Sequence, residues 1–274
     1  LGIALGAGHY GRGFHQTATA GAFGATLAAG HLLGLERDGL RRAPGICATR
    51  ASGLKSQFGT MGKAYNAGIA ASNGVECALL ALRGMSAPDD GIGGPQGLLP
   101  THADAVSQTE AFSVPPEQTF LLVETRHKLH ACCHGTHAMI EALRTLCRHP
   151  GLAPDEIAEI RLKTAPRGRN VCAISRPRTG LEARFSYAWL AALVITGRDT
   201  AAEHSFAGAL VMDAGLARLA ACVSVRGDPG LTDMQAQGVL RLASGRELPF
   251  SHCLAAVLPH EALGAALLGK ARAL

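Results

Sequence analysis

The 274-residue chain is 47% hydrophobic and 17% charged, which is enough apolar surface to build a core and excludes disorder over any large part. The formal charge of +5 is spread along the sequence with no basic run interleaved with aromatics, so a nucleic-acid partner is not expected and a pocket for a small anion is the better reading. The longest apolar stretch, Tyr187 to Ile195, is too short to cross a bilayer and no charged start leads into an apolar signal segment, so no membrane partner is expected and the location expected is cytoplasmic.

The length fits two domains of ordinary size. Eight Cys at irregular spacing in a chain this long read as reduced thiols rather than as disulfide staples. The chain opens on Leu1, and an Ala-rich periodic segment is still running at Leu274, so a section of a longer protein is expected.

In chain order, the first feature is Gly6-Ala7-Gly8-His9-Tyr10-Gly11, a literal G-x-G-x-x-G. A dinucleotide site needs a β-branched strand before these glycines and a helix opening on them, whereas Arg12, Gly13 and Phe14 follow here; no nucleotide cofactor is expected. The pattern predicts a helix over Thr17 to Leu35 with Thr17 as its N-cap, and Gly21, Gly24 and Ala28 on one narrow face. Glycine costs a helix about 1 kcal/mol relative to Ala, so a closely packed neighbouring helix is expected to offset it. Further helices are predicted over Ala43 to Ser52, Ala67 to Arg83 and Thr136 to Cys147.

After Pro150 the period changes. Glu156 to Thr164 alternates apolar and polar residues as a half-buried strand does. Ala221 to Arg226 and Gly238 to Leu242 read as strands, the second within a hairpin over Gly238 to Leu248 that turns at Ser244-Gly245. Helices are predicted between them over Ser186 to Thr196 and Thr200 to Leu219. An α+β domain is therefore placed at residues 129–255.

Three segments carry the residues of chemistry. Gly13 to Thr17 sets His15 just before a helix start, where unpaired backbone N–H groups and the positive dipole end favour an anion. Gln57 to Gly68 places Lys63 in a Gly-rich turn between helices; the chain has five Lys against 21 Arg, so Lys63 and Lys128 stand out as compact cations with an adjustable pKa. His127 to His137 holds four His and two Cys within eleven residues, but no second pair elsewhere completes a four-ligand zinc site, so no metal is expected and the segment reads as a turn leading into the helix from Thr136.

Taken together, Gly13 to Leu35, Ala51 to Arg83, Asp89 to Leu99, Lys128 to Leu143 and Gly180 to Leu193 resemble the 2-methylcitrate dehydratase family, also called MmgE/PrpD, which includes cis-aconitate decarboxylase and related dehydratases and epimerases. The resemblance implies a mostly α protein: a large helical domain, of which residues 1–128 form part and to which residues 256–274 begin the return, with a smaller α+β lid domain inserted. It implies a lyase that dehydrates or decarboxylates a small di- or tricarboxylic acid of the 2-methylcitrate or cis-aconitate type, with no metal or organic cofactor, and a homodimer. His15, Lys63 and Lys128 match the family's catalytic positions, and Thr60, His137 and Trp189 are the expected substrate contacts. The family's H-x-x-D-x-D-D segment matches nothing in the sequence, Trp189 stands where decarboxylase-like members carry Tyr, and Arg184 where many members carry Lys. Under this reading Lys63 and Lys128 clamp carboxylates while His15 moves a proton as general base or acid. An epimerase using the same proton abstraction, and a non-catalytic remnant, are the alternatives.

Overall fold

The computed structural model describes residues 1–104, 122, 125–149, 152–256 and 258–274. The chain divides into two compact units, Leu1–Glu124 and Thr125–Leu274.

The first unit is helical: α1 (Gly2–Gly11), α2 (Gln16–Leu32), α3 (Arg37–Ala48), α4 (Gly62–Leu82) and the short α5 (Leu98–His102). The G-x-G-x-x-G lies inside α1, which kinks at Gly6, and not in a strand-to-helix turn. Helix α2 starts earlier than predicted, with His15 rather than Thr17 at the N-cap. Helix α3 also starts earlier; Pro44 lies inside it, and the buried run Ala43 to Cys47 offsets the backbone hydrogen bond that proline removes. Helix α4 begins at Gly62, five residues before the predicted start, because the Thr60 hydroxyl accepts the Gly62 N–H at 3.1 Å and turns the chain into the helix. Lys63 therefore sits in the first turn of α4 and not in a loop.

Helices α2 and α4 pack against each other over their length, and α3 packs on both. Their contacts advance together along the two chains. His15 meets Asn66, the Cα of Gly21 faces Ala70, and Ala25 and Thr26 face Gly74, so the helices run parallel. The close approach comes from Gly74, where a Cβ would fall 2.4 Å from Ala25 Cβ and 2.7 Å from the Thr26 amide. A Cβ at Gly21 would make ordinary contact with Ala70 Cβ at 3.8 Å, whereas one at Gly24, expected on the packed face, would meet nothing within 4 Å. Leu5, Phe23, Ile46, Leu98 and Leu99 fill the core around this pair.

The second unit contains α6 (His137–Cys147), β1 (Ile157–Thr164), α7 (Pro166–Val171), α8 (Gly180–Ala183), α9 (Tyr187–Ile195), α10 (Ala214–Ala221), β2 (Val223–Gly227), β3 (Gln235–Leu242), β4 (Glu247–Cys253) and α11 (His260–Ala273). The sheet order is β2-β1-β3-β4, with β1 and β2 parallel and the other pairs antiparallel. The β3–β4 hairpin turns where Ser244-Gly245 predicts it, with Leu240 opposite Leu248. Every residue of α9 is buried; it packs on α6 and α10. The single helix expected over Thr200 to Leu219 is absent: two 3-10 turns, Glu203–Phe206 and Gly208–Met212, precede α10. Asp213 caps α10 by accepting the Leu216 N–H at 2.9 Å, which forces a new helix start there. A mostly helical protein with an α+β portion is the class the sequence predicts. Among the described residues no helix is long and apolar enough to cross a membrane.

The α2/α4 packing predicts opposite outcomes for two glycines in the same pair of helices. Gly24→Ala should leave stability unchanged or raise it by up to about 1 kcal/mol, by helix propensity. Gly74→Ala should destabilise by about 1–3 kcal/mol, because the added methyl meets backbone. Urea denaturation of both variants measures the difference.

Candidate active site

In the first unit, a short ladder positions His15. The Gly13 carbonyl accepts the Lys55 N–H at 2.8 Å, the Gly53 carbonyl accepts the His15 N–H at 3.0 Å, and Phe14 bridges Leu54 antiparallel. Gly53 makes this possible: its φ is +131°, and a Cβ there would lie 2.3 Å from Ala18 Cβ. On the other side, His9 Nε2 pairs with the Thr19 hydroxyl at 2.9 Å, His9 Nδ1 donates to the His102 carbonyl at 3.0 Å, and the His9 ring stacks on Phe14 at 4.5 Å. The peptide carrying His15 is thus held from two directions before its side chain makes any contact.

The His15 ring stands edge-on to Phe58, with centroids 5.1 Å apart, and its Nδ1 lies 3.2 Å from Asn66 Nδ2. Lys63 reaches over the same Phe58 ring, its Nζ 5.7 Å from the centroid. Lys63 and Asn66 are three residues apart in α4 and so share a face. Burial, and then the Lys63 ammonium, hold the His15 pKa below the usual histidine value. The Thr60 hydroxyl donates to the Gln57 carbonyl at 2.8 Å and shapes the turn into α4. His15, Lys63 and Thr60 are therefore gathered where α2 and α4 begin. Neither helix carries an acidic residue in its first turn, and neither N-cap is satisfied by a side chain. Two positive helix ends beside the Lys63 ammonium favour an anion at this place.

The second unit places Lys128 and His137 near each other. His137 is 3% exposed, with burial first, then His130, His134 and Lys128, pushing its pKa down to about 2. Its Nε2 is a buried nitrogen with no hydrogen-bond partner among the described residues. Lys270 donates through Nζ to the Lys128 carbonyl. Of the other histidines in the segment, His130 has structural work: its Nε2 meets Glu141 at 2.8 Å, its Nδ1 meets the Thr200 hydroxyl at 2.7 Å, and its ring stands against that of His137. Among the described residues no group of three or more His, Cys, Asp or Glu is arranged to hold a metal ion. Trp189 is 3% exposed, in the first turn of α9, where its N–H donates to the Ser186 hydroxyl. Arg184 pairs with Glu203 at 2.6 Å and lies over the Phe206 ring.

Two polar residues, His9 of α1 and Asn66 of α4, escape the sequence reading. Asn66 was available from its spacing to Lys63 once the helix is known to begin at Gly62. His9 was hidden inside the glycine motif.

The family model for the MmgE/PrpD N-terminal domain matches residues 1–110, and that for the MmgE/PrpD C-terminal domain matches residues 130–244. The chain is 32% identical over 200 residues to "Cis-aconitate decarboxylase-like protein oryM" of Aspergillus oryzae, covering 66% of this chain and 41% of that protein. It is 36% identical over 150 residues to a "Cis-aconitate decarboxylase" of Aspergillus terreus, covering 50% of this chain and 29% of that one. A second Aspergillus terreus protein of that name is 31% identical over 209 residues, 68% and 41% of the two chains. The chain thus spans about two fifths or less of the length of these relatives.

The buried neutral His137 sets a pH dependence. Its folded pKa lies far below the ordinary 6.5, so below that pH the unfolded chain takes up a proton that the folded chain refuses. Its contribution to stability is therefore whole above about pH 6.5 and falls by about 1.4 kcal/mol for each pH unit below it. His137→Gln should reduce the slope of unfolding free energy against pH between about 6 and 5 by close to one proton, measured by urea denaturation across that range.

Proposed function

This chain belongs to the MmgE/PrpD family, and on that premise we propose that the protein is a lyase acting on a small di- or tricarboxylic acid, by dehydration or decarboxylation. The observation that carries the proposal is the pairing of His15 with Lys63 at the shared starting end of two parallel helices. Transfer of a proton next to a carboxylate to a carboxylate or water base, or departure of carbon dioxide, leaves an electron pair that spreads onto carboxylate oxygen; in the dehydration that pair then expels the hydroxyl group as water. An ammonium group and oriented helix ends that are already in place stabilise that charge without reorganising as it forms. Lys63 binds the carboxylate that receives the charge, and the His15 ring faces the same oxygens. Lys128 is assigned a carboxylate-binding role, and a homodimer is the proposed assembly; both assignments rest on the family resemblance. The names of the Aspergillus relatives favour cis-aconitate as the first acid to test, with 2-methylcitrate beside it.

Incubating the purified protein with each acid in deuterated water and following the products by proton NMR tests the proposal. One of them should yield an unsaturated acid with loss of water or carbon dioxide. Lys63→Met and His15→Ala should each lower kcat/KM by at least about 100-fold with unchanged circular dichroism. Deuterium entering the substrate with nothing lost would replace the lyase by an epimerase. Full turnover in both variants would contradict the site.

A further inference from the structure

The hydrogen bonds around Asn66 place a proton on a particular atom of His15. Asn66 is 5% exposed, and its Nδ2 lies 3.1 Å from the Leu54 carbonyl oxygen and 3.2 Å from His15 Nδ1. A carbonyl oxygen can only accept, so the amide edge turned towards Leu54 must be the NH2 group. The reverse orientation would set two oxygens against each other in a buried site. The same NH2 spends its other proton on His15, and Nδ1 can accept it only while carrying no proton itself. In a neutral imidazole the ring proton then resides on Nε2. Charging the ring would drive an Nδ1–H against the Asn66 amide beside the Lys63 ammonium, and burial opposes it as well.

We propose that Asn66 is a positioning residue that holds His15 as a neutral imidazole with its proton on Nε2, so that His15 meets the substrate as a hydrogen-bond donor to the oxygen gaining negative charge and not as the base. The part of this concerning the substrate rests on the lyase reading; the tautomer does not. Neutral imidazole is suited to the task because it donates without adding a full charge next to Lys63.

The test is a long-range proton–nitrogen correlation spectrum of the protein labelled with 15N-histidine, with His15 assigned by comparison with His15→Gln. The wild type should show His15 as the Nε2–H tautomer, with protonation only below the pH at which an ordinary histidine titrates. Asn66→Asp replaces the donor by an acceptor, and should convert the ring to Nδ1–H and raise its pKa by at least one unit. The acid limb of kcat/KM should move up with it. A wild-type Nδ1–H tautomer overturns the proposal without any variant having to fold, and so does an Asn66→Asp spectrum identical to wild type. Turnover that survives an inverted tautomer unchanged overturns the electrophilic role while leaving the lyase intact. The expected tautomer in a protein that converts no polycarboxylate supports Asn66 as the positioning residue and removes the lyase reading alone.

Discussion

Helices α2 and α4 lie side by side and point the same way, and Gly74 lets the backbone of one meet Ala25 and Thr26 of the other. Parallel helices align their dipoles at some electrostatic cost, which antiparallel neighbours avoid. Here the cost is not reduced by acidic residues in the first turns; Lys63 increases it. The result is an end of the unit at which positive potential accumulates, and an anionic guest relieves it. Glycine at position 74 sets the distance between the helices, and with it the distance between His15 and the face of α4 that carries Lys63 and Asn66.

The histidines in both units follow a common physical pattern. His9, His15 and His137 are buried, and burial is the largest cause lowering each pKa. A buried imidazole that stays neutral has one nitrogen to donate and one to accept, so its partners decide what it can do. His9 has both nitrogens occupied, by the His102 carbonyl and Thr19, and serves as a brace. The His15 ring has one hydrogen bond among the described residues, from Nδ1 to Asn66. Identical side chains in one unit are thereby held in different ways, His9 through both nitrogens and His15 through Nδ1.

Much of this was legible in the residues. The strand over Glu156 to Thr164 showed because one face is buried and the other exposed, which writes the period directly into the sequence. The hairpin showed through Ser244-Gly245. The start of α4 did not, since Gly62 and the flanking glycine at 59 look like a loop, and only the Thr60 hydroxyl bond turns them into a helix start. The stretch from Thr200 to Leu219 misled in the opposite direction: Ala-rich composition favours a helix, but Asp213 captures an amide and restarts it. His15 and Lys63 stand out in the sequence from their local settings, and the structure brings both to the starting ends of α2 and α4. Asn66 was missed because an amide has no chemistry of its own to advertise, and its importance lies in where its protons point.

The central claim is that one carboxylate sits against His15 and Lys63 together. Titrating the protein with propane-1,2,3-tricarboxylate, which has no hydroxyl or double bond to react, while watching the His15 ring by NMR, tests this most directly. The account predicts a saturable shift of the His15 signals that disappears in Lys63→Met and weakens as salt is raised. A His15 ring that stays unmoved while signals elsewhere saturate would contradict it.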